Sequence, residues 1–130
     1  MKNKFLCIIC AIIILSTSLL SLSACDSKSN TILGKWEITF PGIDESATME
    51  FGDDGTLKFI LGVDTYEMTY EIDYSYTPDH IDLTFEDETL ETIIEFPDKN
   101  TFKMQWNLGT ELQPRPTAFS DAETITGERK

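Results

Sequence analysis

Thr65-Tyr66-Glu67-Met68-Thr69-Tyr70-Glu71-Ile72-Asp73-Tyr74 is the stretch that decides the fold. Tyr66, Met68, Tyr70, Ile72 and Tyr74 alternate without a break with Thr65, Glu67, Thr69, Glu71 and Asp73. Successive side chains of an extended chain point to opposite faces, so this run builds a strand with one apolar and one polar face. A helix would scatter the same residues around its circumference.

The alternation recurs on both sides of that run. Lys35–Phe40 gathers Trp36, Ile38 and Phe40 on one face, Ser46–Gly52 gathers Ala47, Met49 and Phe51, and Thr56–Leu61 gathers Leu57, Phe59 and Leu61. Downstream, His80–Glu86 offers Ile81, Leu83 and Phe85, Leu90–Phe96 offers Leu90, Ile94 and Phe96, and Asn100–Trp106 offers Phe102, Met104 and Trp106. Turn residues separate the runs: Pro41-Gly42, Asp53-Asp54-Gly55, Gly62-Val63-Asp64, Thr77-Pro78-Asp79, Glu86–Thr89 and Pro97–Asn100. Asp54-Gly55 between two alternating runs is a hairpin signal, because both residues tolerate positive φ. Strands this closely spaced leave no room for crossover helices. The expected fold is all-β, a small antiparallel up-and-down barrel of about seven or eight strands, in which closure removes exposed edges. Residues 113–130, with Pro114, Pro116, Gly127 and scattered charges, read as a loose polar tail in which Pro116–Ser120 could add a short strand.

The N-terminus reads as an address. Lys2 and Lys4 precede an unbroken apolar run, Phe5–Leu15, and a zone of small residues follows. That order is the one of a secretory signal. Leu22-Ser23-Ala24-Cys25 resembles the lipobox of bacterial lipoproteins. The resemblance implies cleavage after Ala24 and a diacylglyceryl thioether on Cys25. Two or three acyl chains then give the stable membrane anchoring that one chain cannot. Cys7 and Cys10 fall inside the signal and no Cys follows Cys25, so a disulfide framework and a Cys nucleophile are not expected. Asp26–Thr31 is polar and aperiodic, as a flexible tether is. The organisation is therefore signal 1–24, lipidated Cys and tether 25–31, barrel 32–112 and tail 113–130.

Charge narrows the partners. With 23 acidic and 10 basic side chains the formal charge is −13. Duplex binding needs clustered Lys and Arg, so nucleic acid is not an expected partner. Attraction to an anionic bilayer must come from the lipid on Cys25 and not from the domain's field.

Gly34-Lys35-Trp36 opens the first strand, and Met49-Glu50-Phe51-Gly52-Asp53-Asp54-Gly55-Thr56-Leu57 spans the second hairpin. Together they resemble the lipocalin-like domains of small bacterial lipoproteins, which begin with Gly-x-Trp and carry an apolar-x-Phe-x-x-Asp-Gly hairpin. The resemblance covers Ile32 to Leu112. It implies that Trp36 closes the barrel base and stacks against an Arg from near the last strand, a part open to Lys103, Arg115 or Arg129. The loops are shorter than in classical lipocalins, so a deep ligand cup is not implied.

Little along the chain suggests catalysis. His80, the single histidine, points outward by alternation, and no Ser-His-Asp set assembles around it. Asp53-Asp54-Gly55 with Glu50 lacks the carboxylate spacing of a calcium loop. Asp82, Glu86, Asp87, Glu88 and Glu91 read as a solvated acidic patch. No metal, cofactor or enzymatic role is expected. The aromatic set Trp36, Tyr66, Tyr70, Tyr74, Phe85, Phe102 and Trp106 is either barrel core or the lining of an apolar ligand site. The expectation is a lipid-anchored binding or interaction module on the extracytoplasmic face of a bacterial membrane, meeting an unknown protein. The alternatives are a carrier with an internal cavity for a small apolar ligand and, less favoured, an envelope enzyme. Cys25→Ser should abolish incorporation of labelled palmitate, because a hydroxyl is a far poorer nucleophile than a thiol; equal labelling of variant and wild type would refute the anchor.

Overall fold

All seven alternating runs form strands. A computed structural model of the protein describes residues 31–106 and 113–130, and the strands are β1 (Gly34–Thr39), β2 (Ser46–Phe51), β3 (Thr56–Leu61), β4 (Asp64–Asp73), β5 (Asp79–Phe85), β6 (Glu88–Asp98) and β7 (Thr101–Gln105). The signal, Ala24, Cys25, the tether to Asn30 and residues 107–112 lie outside the described residues. Consecutive strands pair antiparallel, and an eighth strand, β8 (Thr124–Arg129), pairs with both β7 and β1 to close the barrel. The up-and-down meander is therefore complete, with no open edge in the sheet.

Chain direction defines two ends. The base holds the start of β1, the β2–β3, β4–β5 and β6–β7 turns, and the end of β8. The mouth holds the β1–β2, β3–β4 and β5–β6 connections and the start of β8. The three base turns are stapled by carboxylates. Asp54 accepts from the Thr56 hydroxyl (2.6 Å) and amide (3.1 Å), Asp73 accepts from the Ser75 hydroxyl (2.5 Å) and amide (2.9 Å), and Asp98 accepts from the Asn100 amide (2.7 Å). Such side-chain turns fix the backbone locally. The same hydrogen bonds favour the ionised form and hold all three carboxyls below their usual range.

The outer faces sort into rows across the strands. Lys35, Glu50, Lys58 and Glu67 stand in register with alternating sign, an arrangement that favours pairing. Glu71, Asp82 and Glu91 also stand in register, but with like sign. Their repulsion is relieved from an unexpected direction.

The expectation of a loose polar tail at 113–130 is corrected at this point. Pro116–Ser120 forms no strand, whereas Thr124–Arg129 does. The residues before β8 lie against the outside of β5, β6 and β7. Arg115 donates to the carbonyls of Thr92 (2.6 Å) and Ile81 (3.3 Å) and to the Asp82 carboxylate, and its guanidinium lies 3.8 Å from Glu91. Gln105, buried on β7, accepts from the Ser120 amide (2.9 Å) and donates to Glu123 (2.9 Å). Ile93, out of phase with its inward neighbours Thr92 and Ile94 yet buried like them, lies on β6 between Glu91 and Glu95, on the side of the sheet where the strap's Arg115 reaches Asp82 and Glu91. The expected barrel segment 32–112 thus lacks the strap and the closing strand that complete it.

The core fills from seven of the eight strands: Trp36, Ile38, Met49, Phe51, Leu57, Ile81, Leu83, Ile94, Phe102, Met104 and Ile125 are all buried, whereas on β4 Met68, Tyr70 and Ile72 are only partly buried. β8 contributes little volume of its own. Its inward positions are Ile125 and Gly127, and Gly127 faces Phe102 on β7 and Ile38 on β1. A Cβ at Gly127 would overlap the Phe102 ring, which covers the bare backbone. Gly127→Ala should therefore destabilise the barrel by about 1–3 kcal/mol, the usual cost of overpacking a core. Combining it with Phe102→Leu should cost less than the two losses added together, a coupling that denaturant melts of the double-mutant cycle would read.

Candidate functional site

The aromatic residues separate into two clusters. At the base, the Trp36 ring packs against Phe102 (5.0 Å between centroids) and Phe96 (6.4 Å), and Phe51 continues to Phe102 and Tyr70. Trp36 is 0% exposed. The Arg129 guanidinium lies 4.2 Å from its ring centroid. Of the three cations open to that part, it is Arg129 that takes it. Arg129 also donates to the Leu33 carbonyl (2.7 Å) and twice to the Lys99 carbonyl (3.1 and 3.0 Å). Gly34 sits under this arginine with φ 109, a conformation that favours glycine, and a Cβ there would stand 3.3 Å from the guanidinium. The Gly-x-Trp of the first strand is thus a packing motif, and the base is sealed.

Tyr70 and Tyr74 belong to the walls near that end. The Tyr70 hydroxyl donates to the Gly52 carbonyl at 2.6 Å. Burial raises the pKa of both phenols, that of Tyr74 to about 12, with Asp79 and Tyr70 adding to the effect on Tyr74. They are structural hydroxyls. His80 lies flat on Tyr76, with centroids 3.7 Å apart and planes 5° from parallel.

At the mouth a second cluster stays partly open. Trp106 stacks on Phe59 (5.8 Å), Phe40 meets both edge-on (6.4 Å each), and Tyr66 links Phe59 (6.2 Å) to Phe85 (6.1 Å). Phe40, Ile43, Glu45, Phe59, Leu61 and Trp106 line a pocket of about 250 Å³. Around it stand Ile43, Tyr66, Phe85 and Val63, all exposed, with Val63 at 98%. Only Tyr76, among the exposed large hydrophobic residues described, lies at the other end. Each connection at this end also carries a left-handed residue: Gly42 (φ 73), Gly62 (φ 62) and Glu86 (φ 54). For a glutamate that conformation costs energy, and such costs concentrate at working surfaces.

The sequence set therefore divides. Trp36 and Phe102 are core, Tyr70 and Tyr74 are half-buried wall residues, and Tyr66, Phe85 and Trp106 belong to the mouth. Sequence reasoning missed Ile43 and Val63, which lie in turns where periodicity carries no signal, and assigned Phe40 and Phe59 to strand faces without a site. The acidic patch divides too: Asp82 and Glu91 face Arg115, while Glu86, Asp87 and Glu88 border the mouth. Among the described residues no three His, Cys, Asp or Glu side chains converge as metal ligands. A larger hollow of about 530 Å³ on the outside of β3–β5 is walled mostly by polar residues, among them Thr56, Glu67, Thr69 and Thr84.

No family model, no curated protein and no solved structure matches this chain.

Truncation of the two tryptophans should separate the two ends. Trp36→Ala should cost about 3–5 kcal/mol, as loss of a fully buried aromatic does. Trp106→Ala should cost less than this, since its ring, unlike that of Trp36, is only partly buried. Equal losses in denaturant melts would remove the distinction between sealed base and open mouth.

Proposed function

We propose that this chain is an exported, lipid-anchored, lipocalin-like barrel whose mouth binds a partner on the extracytoplasmic face of a bacterial membrane. The observation that carries the reading is the placement of exposed apolar side chains. Ile43, Val63, Tyr66 and Phe85 gather at one end of a barrel whose interior is otherwise filled. Soluble domains leave contiguous apolar patches exposed mainly where something docks. The lipobox-like Leu22–Cys25 supports the anchor. The chain enters the barrel at Leu33, beside Arg129 at the base, so the mouth lies at the opposite end from that entry.

The carrier reading draws on the mouth pocket. At about 250 Å³ it falls below the usual range of small-molecule sites and suits one bulky side chain better than a whole enclosed ligand. Partner binding is therefore favoured. The reading assigns no catalytic step.

A photo-crosslinking residue placed at Val63 in the full chain, in intact cells, should give discrete adducts, while the same residue at Lys99 in the base should not. Adducts from Lys99 and none from Val63 would overturn the assignment of the mouth. Release of the chain from membranes by Cys25→Ser would support the anchor, and unchanged membrane fractionation would count against it.

A further inference from the structure

The three connections that form the mouth carry Asp44, Glu45, Glu86 and Asp87, with Asp64 and Glu88 opening the strands that follow, and none of them carries a Lys, Arg or His. The cations of the described barrel are elsewhere. Lys35, Lys99, Arg129 and Lys130 lie toward the base, Lys58 stands between Glu50 and Glu67 in the mid-barrel row, Lys103 pairs with Glu95 at 2.8 Å, and Arg115 is held by Asp82. Among the described residues, the most exposed apolar surface is therefore ringed by negative charge with no cation beside it. We infer that the mouth receives a cationic amphipathic peptide segment, a short stretch in which Lys or Arg flanks large apolar side chains. The inference rests on the mouth-binding reading above and names the class of partner.

Three features fit that occupant. The pocket between Phe40, Phe59 and Trp106 accepts one bulky apolar side chain, and such aromatic-lined pockets hold the anchor residues of interfaces. Glu45 forms part of the same wall, so a positive charge next to the anchor meets a carboxylate. Val63, Tyr66 and Phe85 extend the apolar surface beyond the pocket, over two further hairpins, farther than a single small amine would cover. Other occupants meet the charge ring as a penalty. An anionic bilayer is repelled by it, and mouth-to-mouth docking of two copies would oppose one ring to another.

The test uses the full chain held in phosphatidylcholine vesicles, with empty vesicles as background. The probe is a short labelled peptide with Phe and Leu flanked by Lys. One matched peptide carries Glu for Lys, and another carries Ser for Phe and Leu. The first should bind about tenfold or more tightly than either, and its affinity should fall as salt screens the ring. Glu45→Gln combined with Asp87→Asn should weaken it about tenfold and flatten the salt dependence. Val63→Ser with Phe85→Ser should weaken it without changing that dependence. Equal binding of the Glu peptide would overturn the cationic class and leave mouth binding standing. Tight binding of the Lys peptide that neither pair of substitutions alters would overturn the site. If none of the peptides binds and the Val63 crosslinks are also missing, both readings fall; if the crosslinks persist, only the peptide class falls. Thermal melts check that each variant folds, and should one fail, the salt titration and the peptide set on wild-type protein decide.

Discussion

The guanidinium of Arg129 joins three distant stretches of chain in one place. It lies over the Trp36 ring, donates to the Leu33 carbonyl ahead of β1, and donates to the Lys99 carbonyl in the β6–β7 turn. A cation placed over an indole face and shielded from water gains more than an exposed one, and its N–H groups still need acceptors. Both demands are met only when β1 and β8 are side by side. The sealed base, the glycine at position 34 and the burial of Trp36 all follow from that contact. So does the division of the aromatic residues, because a base sealed by Trp36 leaves the opposite end as the place where apolar side chains stay exposed.

The two ends differ in construction as well as in exposure. Base turns are tied by Asp54, Asp73 and Asp98 to the residue two positions on. The mouth connections instead have acidic and apolar tips, and one of them holds the only non-glycine residue with positive φ among the described residues, Glu86. The strap from Gln113 to Glu123 braces the side wall. Its Arg115 turns the like-charged row of Asp82 and Glu91 from a liability into an attachment point. A row that repels itself on the sheet is tolerated because a cation distant in sequence is aimed at it.

Seven strands were legible in the sequence because each presents its own apolar side chains at alternate positions. β8 was not, and the reason is specific. Its inward positions are Ile125 and Gly127, and the volume that Gly127 omits is supplied by Phe102 from the neighbouring strand. A periodicity scan reads each strand by itself and cannot see a side chain lent across the sheet. The strap was hidden for a related reason: Arg115 makes two of its contacts to backbone carbonyls, which have no sequence signature. At the site, the aromatic residues were visible but their division between base and mouth was not. That division depends on where each strand begins and ends relative to its neighbours, and on Ile43 and Val63, single apolar residues in turns.

Closure through the last strand also sets when the molecule becomes whole. The Arg129–Leu33 bond spans 96 positions of sequence, and the β1–β8 pairing spans nearly as many. Contacts between such distant residues form late, after the loop entropy has been overcome. Until β8 docks, the barrel is not closed. Its β1 and β7 edges are then bare, Trp36 has no cover, and Phe102 overhangs a vacant lane. β8 is therefore the clasp of the barrel: one strand joins both edges of the sheet and brings the cover of Trp36 with it.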